Sequence, residues 1–131
     1  RVWYLGTMTH EYLYPLLAGA AAAVLPSRID NFPNTCLEAM GHGRVVVGTR
    51  GTSFEQLITD GENGFLCRAD DPAELLRTVE KALDISPEER KRMGEKARER
   101  IHELRPEKTV GQLVALYEEV IAGARGKERH D

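Results

Sequence analysis

Apolar and polar positions along the chain switch between two periods. Val2-Trp3-Tyr4-Leu5 is β-branched and aromatic and stops at Gly6-Thr7, which predicts a strand entering a turn. Thr9 is suited to cap a helix running to about Gly19, in which Leu13, Leu16, Leu17 and Ala20 recur at helical spacing. Pro15 inside that pattern predicts a kink or a late start. Ala21 to Pro26 is continuously apolar and strand-sized, as a buried parallel strand is. A helix is predicted over 34–42, closed by Gly43 just past its end, and Val45-Val46-Val47 is a third strand, ended by Gly48-Thr49-Arg50-Gly51. Ser53 to Ile58 reads as a helical turn, residues 60–64 as a loop, and Phe65-Leu66-Cys67 as a short fourth strand.

The remaining segments are helical. Asp71-Pro72-Ala73-Glu74 combines an N-cap acid, a proline at the first helical position and a glutamate three residues after the cap. Leu75, Leu76, Val79, Ala82 and Leu83 then give one apolar face. Ser86-Pro87-Glu88-Glu89 repeats the start signal ahead of a narrow stripe, Met93, Ala97, Ile101 and Leu104, which Arg105-Pro106 breaks. A last helix over about 107–122 carries Val110, Leu113, Val114, Tyr117, Val120 and Ile121. Residues 125–131 form a polar tail, expected to fray. Strands alternating with helices predict an α/β fold with a parallel sheet and helices on its faces, in one domain over 1–124.

Composition narrows the function classes. With 131 residues, 41% hydrophobic and 30% charged, the chain can build a core. A net charge of −3 argues against a broad nucleic-acid surface. Residues 1–85 hold 7 basic and 11 acidic side chains and residues 86–131 hold 11 and 10, so the late basic residues read as a solvated face. No apolar run approaches the roughly 20 residues of a membrane span, and no signal peptide is visible. Cys36 and Cys67 suggest a reducing compartment, hence a cytoplasmic setting. No Cys or His pair has ligand spacing, so neither metal nor cofactor is expected. Neither a Walker motif nor G-x-G-x-x-G occurs.

The chemistry concentrates between Pro26 and Met40. In open α/β sheets, ligands bind outside the carboxyl ends of the strands. Here a strand runs into a polar loop and then into the amino end of a helix, whose unpaired N–H groups favour anions. Asn34 and Thr35 fall in that first turn, and Pro33 suits a helix start. Asp30 and Glu38 bracket the segment, eight positions apart. A carboxylate cannot hold phosphate but accepts hydroxyl hydrogen bonds, so Glu38 suits a ribose diol and Asp30 a polyol beyond the phosphates. Spacing alone leaves plainer readings open: Asp30 as a cap, Glu38 as a solvated helix carboxylate. Cys36 near a helix start reads either as an activated thiol or as a buried structural one. His42 reads as a helix-end residue. His10 is a surface residue without a catalytic partner. The Gly48–Gly51 loop is either a close ligand approach or a tight connection.

The run Pro26-Ser27 … Asp30-Asn31-Phe32-Pro33-Asn34-Thr35 … Leu37-Glu38-Ala39-Met40, followed by Gly43-Arg44-Val45-Val46-Val47, resembles the retaining glycosyltransferases of family 4. Their acid-x7-acid motif followed by Glu-Ala-Met matches Asp30 and Glu38-Ala39-Met40. Residues 55–66 and Val2-Trp3-Tyr4-Leu5-Gly6 are similar too, so the likeness covers nearly the whole chain. It implies the GT-B fold, with this chain as the C-terminal portion of a Rossmann-like donor domain whose sheet is incomplete. It implies a nucleotide-sugar donor: Glu38 on the ribose, Asp30 on the donor sugar with amides of Asn31, Phe32, Pro33 and Asn34 nearby, phosphates near Asn34 and Thr35, and Gly6-Thr7-Met8 beside the base. Two departures stand out: Asp30 replaces a more usual glutamate, and Gly41-His42 replaces a pair of small residues.

The same resemblance places an acceptor domain, the first two strands of the donor domain and the basic residues that neutralise the pyrophosphate upstream. The strands here would then be the third to the sixth in the order 3-2-1-4-5-6, with Val2–Leu5 lacking a neighbour and Ala21–Leu25 exposing an apolar edge. The expectation is a fragment inactive alone, belonging to a full-length enzyme that is cytoplasmic or peripheral to a membrane, and prone to pair strands with another copy. The rival reading is a non-catalytic nucleotide-binding or assembly module.

Overall fold

Valine-rich β2 (Val45–Thr49) is the centre of a three-stranded parallel sheet, with β1 (Ala22–Val24) on one side and β3 (Phe65–Cys67) on the other. Ala22 to Val24 register against Val45 to Val47, and Val47 to Thr49 against Phe65 to Cys67. Every residue of β2 is buried, as expected of a strand paired on both edges and covered on both faces. The computed structural model describes residues 1–31 and 33–127.

Val2–Leu5 does not form the expected strand. It lies outside the sheet with no assigned secondary structure, Val2 98% and Tyr4 96% exposed. No strand pairs with it among the described residues, and unpaired β-structure leaves its own N–H and C=O groups without a ladder. The sheet thus has three strands rather than four. The outer edge of β1 has no strand beside it among the described residues, and Val24 is partly exposed there.

Helices fill the connections. α1 (His10–Gly19) leads into β1 and keeps Pro15 inside it; α2 (Asn34–Gly41) joins β1 to β2; α3 (Phe54–Leu57) precedes β3; α4 (Pro72–Asp84) and α5 (Pro87–Glu103) follow. One side of the sheet packs Val45, Val47, Phe65 and Cys67 against Ala82 and Met93, with Leu75, Val79 and Ile85 closing the margin. The pleat turns Val46 to the other face, and α2 and α3 lie against β2. Leu76 and Leu83, expected on the buried face of α4, are more than half exposed. The face that packs is Leu75-Val79-Ala82.

Two of the three predicted side-chain caps form, whereas Thr9 precedes α1 without a side-chain cap hydrogen bond. The Asp71 carboxylate accepts the Glu74 N–H at 2.8 Å with Pro72 in the first turn, and Ser86 Oγ accepts the Glu89 N–H at 3.1 Å. Gly43 adopts φ +67 after α2, where the Arg44 N–H reaches the Ala39 carbonyl (2.9 Å) and the Gly43 N–H the Met40 carbonyl (2.8 Å). That is the Schellman arrangement, which a left-handed residue permits.

The chain divides into two units, Arg1–Ile101 and His102–Asp131. The first contains the sheet. The second contains α6 (Pro106–Lys127), which is longer than its apolar pattern predicts and exposes Val110, Leu113, Val114, Tyr117, Val120 and Ile121. No helix among the described residues is long and apolar enough to cross a membrane.

Candidate functional site

Where β1 ends, the chain is pinned before it turns into α2. The Leu25 N–H extends the ladder to the Val47 carbonyl (2.9 Å). Thr49 Oγ1 then donates to the Ser27 carbonyl (2.7 Å) and Ser53 Oγ to the Asp30 carbonyl (2.6 Å). Both hydroxyls belong to the carboxyl end of β2 and the turn after it, so the sheet itself fixes the loop. Beneath this turn the Phe54 ring lies where a Cβ on Gly48 would sit, 2.9 Å away. Gly48 therefore serves a tight connection packed on an aromatic ring.

A cavity of about 270 Å³ opens at this point, lined by Ser27, Asp30, Pro33, Asn34, Thr35 and Phe54. Pro33 is the N-cap of α2 rather than its first helical residue, and it supplies no side-chain cap. Its carbonyl takes the N–H groups of Cys36 (2.9 Å) and Leu37 (3.1 Å), the first bonds of the helix. The N–H groups of Asn34 and Thr35 precede those bonds and have no intrahelical acceptor. Half-buried Asp30 faces the same turn. Cys36 is fully buried with its thiol against Met40 Sδ (3.6 Å), and burial, then the Asp30 charge, pushes it up to about 12. It is a structural thiol, not an activated one.

Glu38 lies one turn further on, half-buried and outside the lining of this cavity. Its Oε1 is 3.2 Å from His10 Nε2 at the start of α1. The His10 ring stacks on Tyr14 (centroids 4.9 Å, 11° between planes), and Tyr14 meets His42 at 4.8 Å. His42 Nδ1 lies 2.8 Å from the Glu38 carbonyl and so tends the end of α2 as expected. His10, by contrast, has the carboxylate partner that no local pattern reveals.

Asp30, Pro33, Asn34 and Thr35 are thus brought together, with Glu38 adjacent. Asn31 is exposed beside them, and Phe32 lies outside the described residues. Gly6 takes φ +68, and Met8 lines a separate apolar cavity of about 470 Å³ with Leu5, Tyr12 and Leu16. Gly6 and Thr7 line neither that cavity nor the one at Asp30. Ser53 and Phe54 match no site motif in the sequence; their one signal is their position just past a strand's carboxyl end.

Cations at this end of the sheet are already engaged. A neighbouring cavity of about 180 Å³ is lined in part by Arg28, Thr49, Arg68 and Asp70. Arg28 pairs with Asp70 (2.6 Å), and Arg68 with Asp71 (2.8 Å) and Glu74 (2.5 Å). Among the described residues no group of three or more His, Cys, Asp or Glu side chains could hold a metal ion.

Residues 1–100 match the family of glycosyl transferases group 1. An MMP alpha-(1->4)-mannosyltransferase from Mycolicibacterium hassiacum is 35% identical over 117 residues, 88% of this chain and 28% of that protein. Among solved structures, the sucrose-phosphate synthase of Thermosynechococcus elongatus superposes with a TM-score of 0.80 at 27% identity, over 94% of this chain and 31% of the other. HepE of Anabaena, solved in complex with UDP-glucose, has a TM-score of 0.67 at 21% identity, over 80% and 29%. The chain spans less than a third of the length of these proteins. Its small parallel sheet with flanking helices is part of the Rossmann-like architecture of GT-B enzymes. On the motif, the fold and the extent of the match, the chain belongs to the glycosyl transferases group 1 family.

Proposed function

We propose that this chain is the donor-binding part of a retaining glycosyltransferase, which transfers a sugar from a nucleoside-diphosphate sugar to an acceptor held by an N-terminal domain. The observation that carries the reading is the cavity at the end of β1, which Asp30, Asn34 and Thr35 line together, the N–H groups of the last two having no intrahelical acceptor, with Glu38 a turn away. Phosphate oxygens suit the helix amides. Glu38 accepts two hydrogen bonds from the ribose diol, and Asp30 accepts from hydroxyls of the donor sugar. Charge developing on the leaving diphosphate meets the helix dipole here. The retaining outcome rests on the resemblance of Asp30…Glu38-Ala39-Met40 to family 4. HepE, of the same fold, was solved with UDP-glucose, which supports this class of donor. The reading assigns no cofactor to the chain.

Transfer by the 131 residues alone is not expected. Arg28 and Arg68 are committed to carboxylates, so among the described residues lining the two cavities at the carboxyl end there is no unpaired cation for a pyrophosphate. Calorimetric titration of the full-length protein with several nucleotide-sugars tests the assignment. Glu38→Ala should weaken them all, because ribose is common to them. Asp30→Ala should weaken the intact donor far more than the free nucleoside diphosphate. Equal losses for both ligands would show the two acids to be wrongly assigned, and sugar transfer by the isolated chain would overturn its predicted inactivity.

A further inference from the structure

The opposite end of the sheet, where the strands begin, carries an excess of positive charge that the reaction does not use. A cavity of about 540 Å³ there is lined in part by Arg44, Arg90, Lys91 and Arg98, with Leu83 and Ile85 on its margin. No carboxylate lines it, and among the described residues none of the four cations is ion-paired. The cations come from three separate stretches of sequence, so neither the acidic balance of residues 1–85, which hold Arg44, nor the near-even count of residues 86–131, which hold the other three, reveals them.

Backbone carbonyls hold the guanidinium groups in place. Arg90 Nη1 donates to the carbonyls of Ala21 (2.7 Å) and Ala82 (3.0 Å), and Nη2 to Leu83 (2.9 Å) and Ile85 (3.5 Å). Arg44 donates from Nε to His42 (3.1 Å) and from Nη1 to Ala20 (3.3 Å), and Arg98 Nη2 donates to His42 (3.2 Å). These carbonyls lie at or just beyond the ends of α1, α2 and α4, so capping explains part of the cluster. It does not explain all of it. Three helix ends supply about half a negative charge each, roughly 1.5 in total, against four cations. Arg90 is spent on carbonyls, whereas Arg44 Nη2, Arg98 Nε and Nη1, and the Lys91 ammonium make no hydrogen bond to the described residues.

We propose that this cavity binds a phosphate-bearing anion of at least two negative charges, at a site separate from the donor cavity. Guanidinium forks fixed by the backbone, beside an ammonium, match phosphate oxygens with little ordering cost. Leu83, 51% exposed at the margin, offers apolar surface to the carbon skeleton of such a ligand. The phosphate belongs either to a small solute or to a lipid headgroup.

The test uses the full-length protein at fixed ionic strength, in two arms: calorimetry with inorganic pyrophosphate, and co-sedimentation with phosphatidylglycerol vesicles against phosphatidylcholine vesicles. The double variant Lys91→Gln/Arg98→Gln should weaken one of these interactions about tenfold, through loss of two charge-assisted contacts, and leave nucleotide-sugar binding unchanged. Loss in the first arm identifies a soluble phosphate, and loss in the second a headgroup. Should the double variant fail to fold, Lys91→Gln alone removes an ammonium with no hydrogen bond to the described residues and should reduce binding several-fold. Binding in neither arm, or binding that the substitutions leave unchanged, overturns the proposal.

Discussion

His10 Nε2 stands 3.2 Å from Glu38 Oε1, so the first residue of α1 steers the carboxylate that α2 presents beside the candidate donor cavity. The histidine side chain is 66% exposed and the glutamate 24%, a geometry in which an ion pair contributes only about 0.2–1 kcal/mol. His10→Ala should therefore change nucleotide-sugar affinity by about fivefold at most. Glu38→Ala, which removes a charged acceptor worth about 1.5–3 kcal/mol per hydrogen bond, should cost tenfold or more. Titration of both variants checks this, and equal losses would put His10 itself in contact with the ligand.

Cys36 makes alkaline stability a readout of packing. Its folded thiol is pushed from 9.0 up to about 12, so above pH 9 the unfolded chain binds fewer protons there than the folded one. Its contribution is complete below pH 9 and is lost progressively as pH rises toward 12. Cys67 is raised as well, chiefly by burial. The loss of melting temperature between pH 8 and 11 should be smaller in Cys36→Ala than in wild type, although the variant is less stable at pH 8. Thiol alkylation at pH 8 should leave Cys36 untouched until the chain unfolds.

Asp71 works in the other direction. The Glu74 backbone N–H, and beyond it the Arg68 charge, hold its carboxyl below the ordinary 3.8. Its stabilisation is present above pH 3.8 and is lost as pH falls through the lowered folded value. Asp71→Ala should lower the melting temperature at pH 7, and the difference from wild type should shrink at pH 2. Thermal melts at the two pH values test this.

Two helical glycines should respond to alanine with opposite sign. A Cβ on Gly94 would lie 2.3 Å from the Gly43 carbonyl oxygen, because α5 packs directly on the turn that ends α2. Gly94→Ala should destabilise by about 1–3 kcal/mol despite the better helix propensity. Gly111 in α6 has nothing within 4 Å of such a Cβ, so Gly111→Ala should stabilise by up to about 1 kcal/mol. Urea denaturation of each variant measures both effects.

Much of the fold was legible because its signals are local. Asp71-Pro72-Ala73-Glu74 and Ser86-Pro87-Glu88-Glu89 start helices through bonds spanning three residues. Gly43 ends one through a conformation other residues resist, and the run Val45-Val46-Val47 suits a strand paired on both sides. Asp30, Pro33, Asn34 and Thr35 could be found together because they are neighbours in the chain at a strand's carboxyl end. Val2–Leu5 misled for the complementary reason: its residues favour a strand, but a strand exists only by pairing, and none of the described strands pairs with it.

By itself, then, the sequence determined the order of the elements from α1 onward, most of their ends, the acidic motif and the family. The tertiary structure alone decided which distant groups meet: Ser53 on the Asp30 carbonyl, His10 on Glu38, and Arg44, Arg90, Lys91 and Arg98 around one cavity. Caps and turns are set by hydrogen bonds and sterics within a few residues of the chain. These meetings depend instead on how helices settle against the sheet, a matter of side-chain volume and burial that no short spacing records.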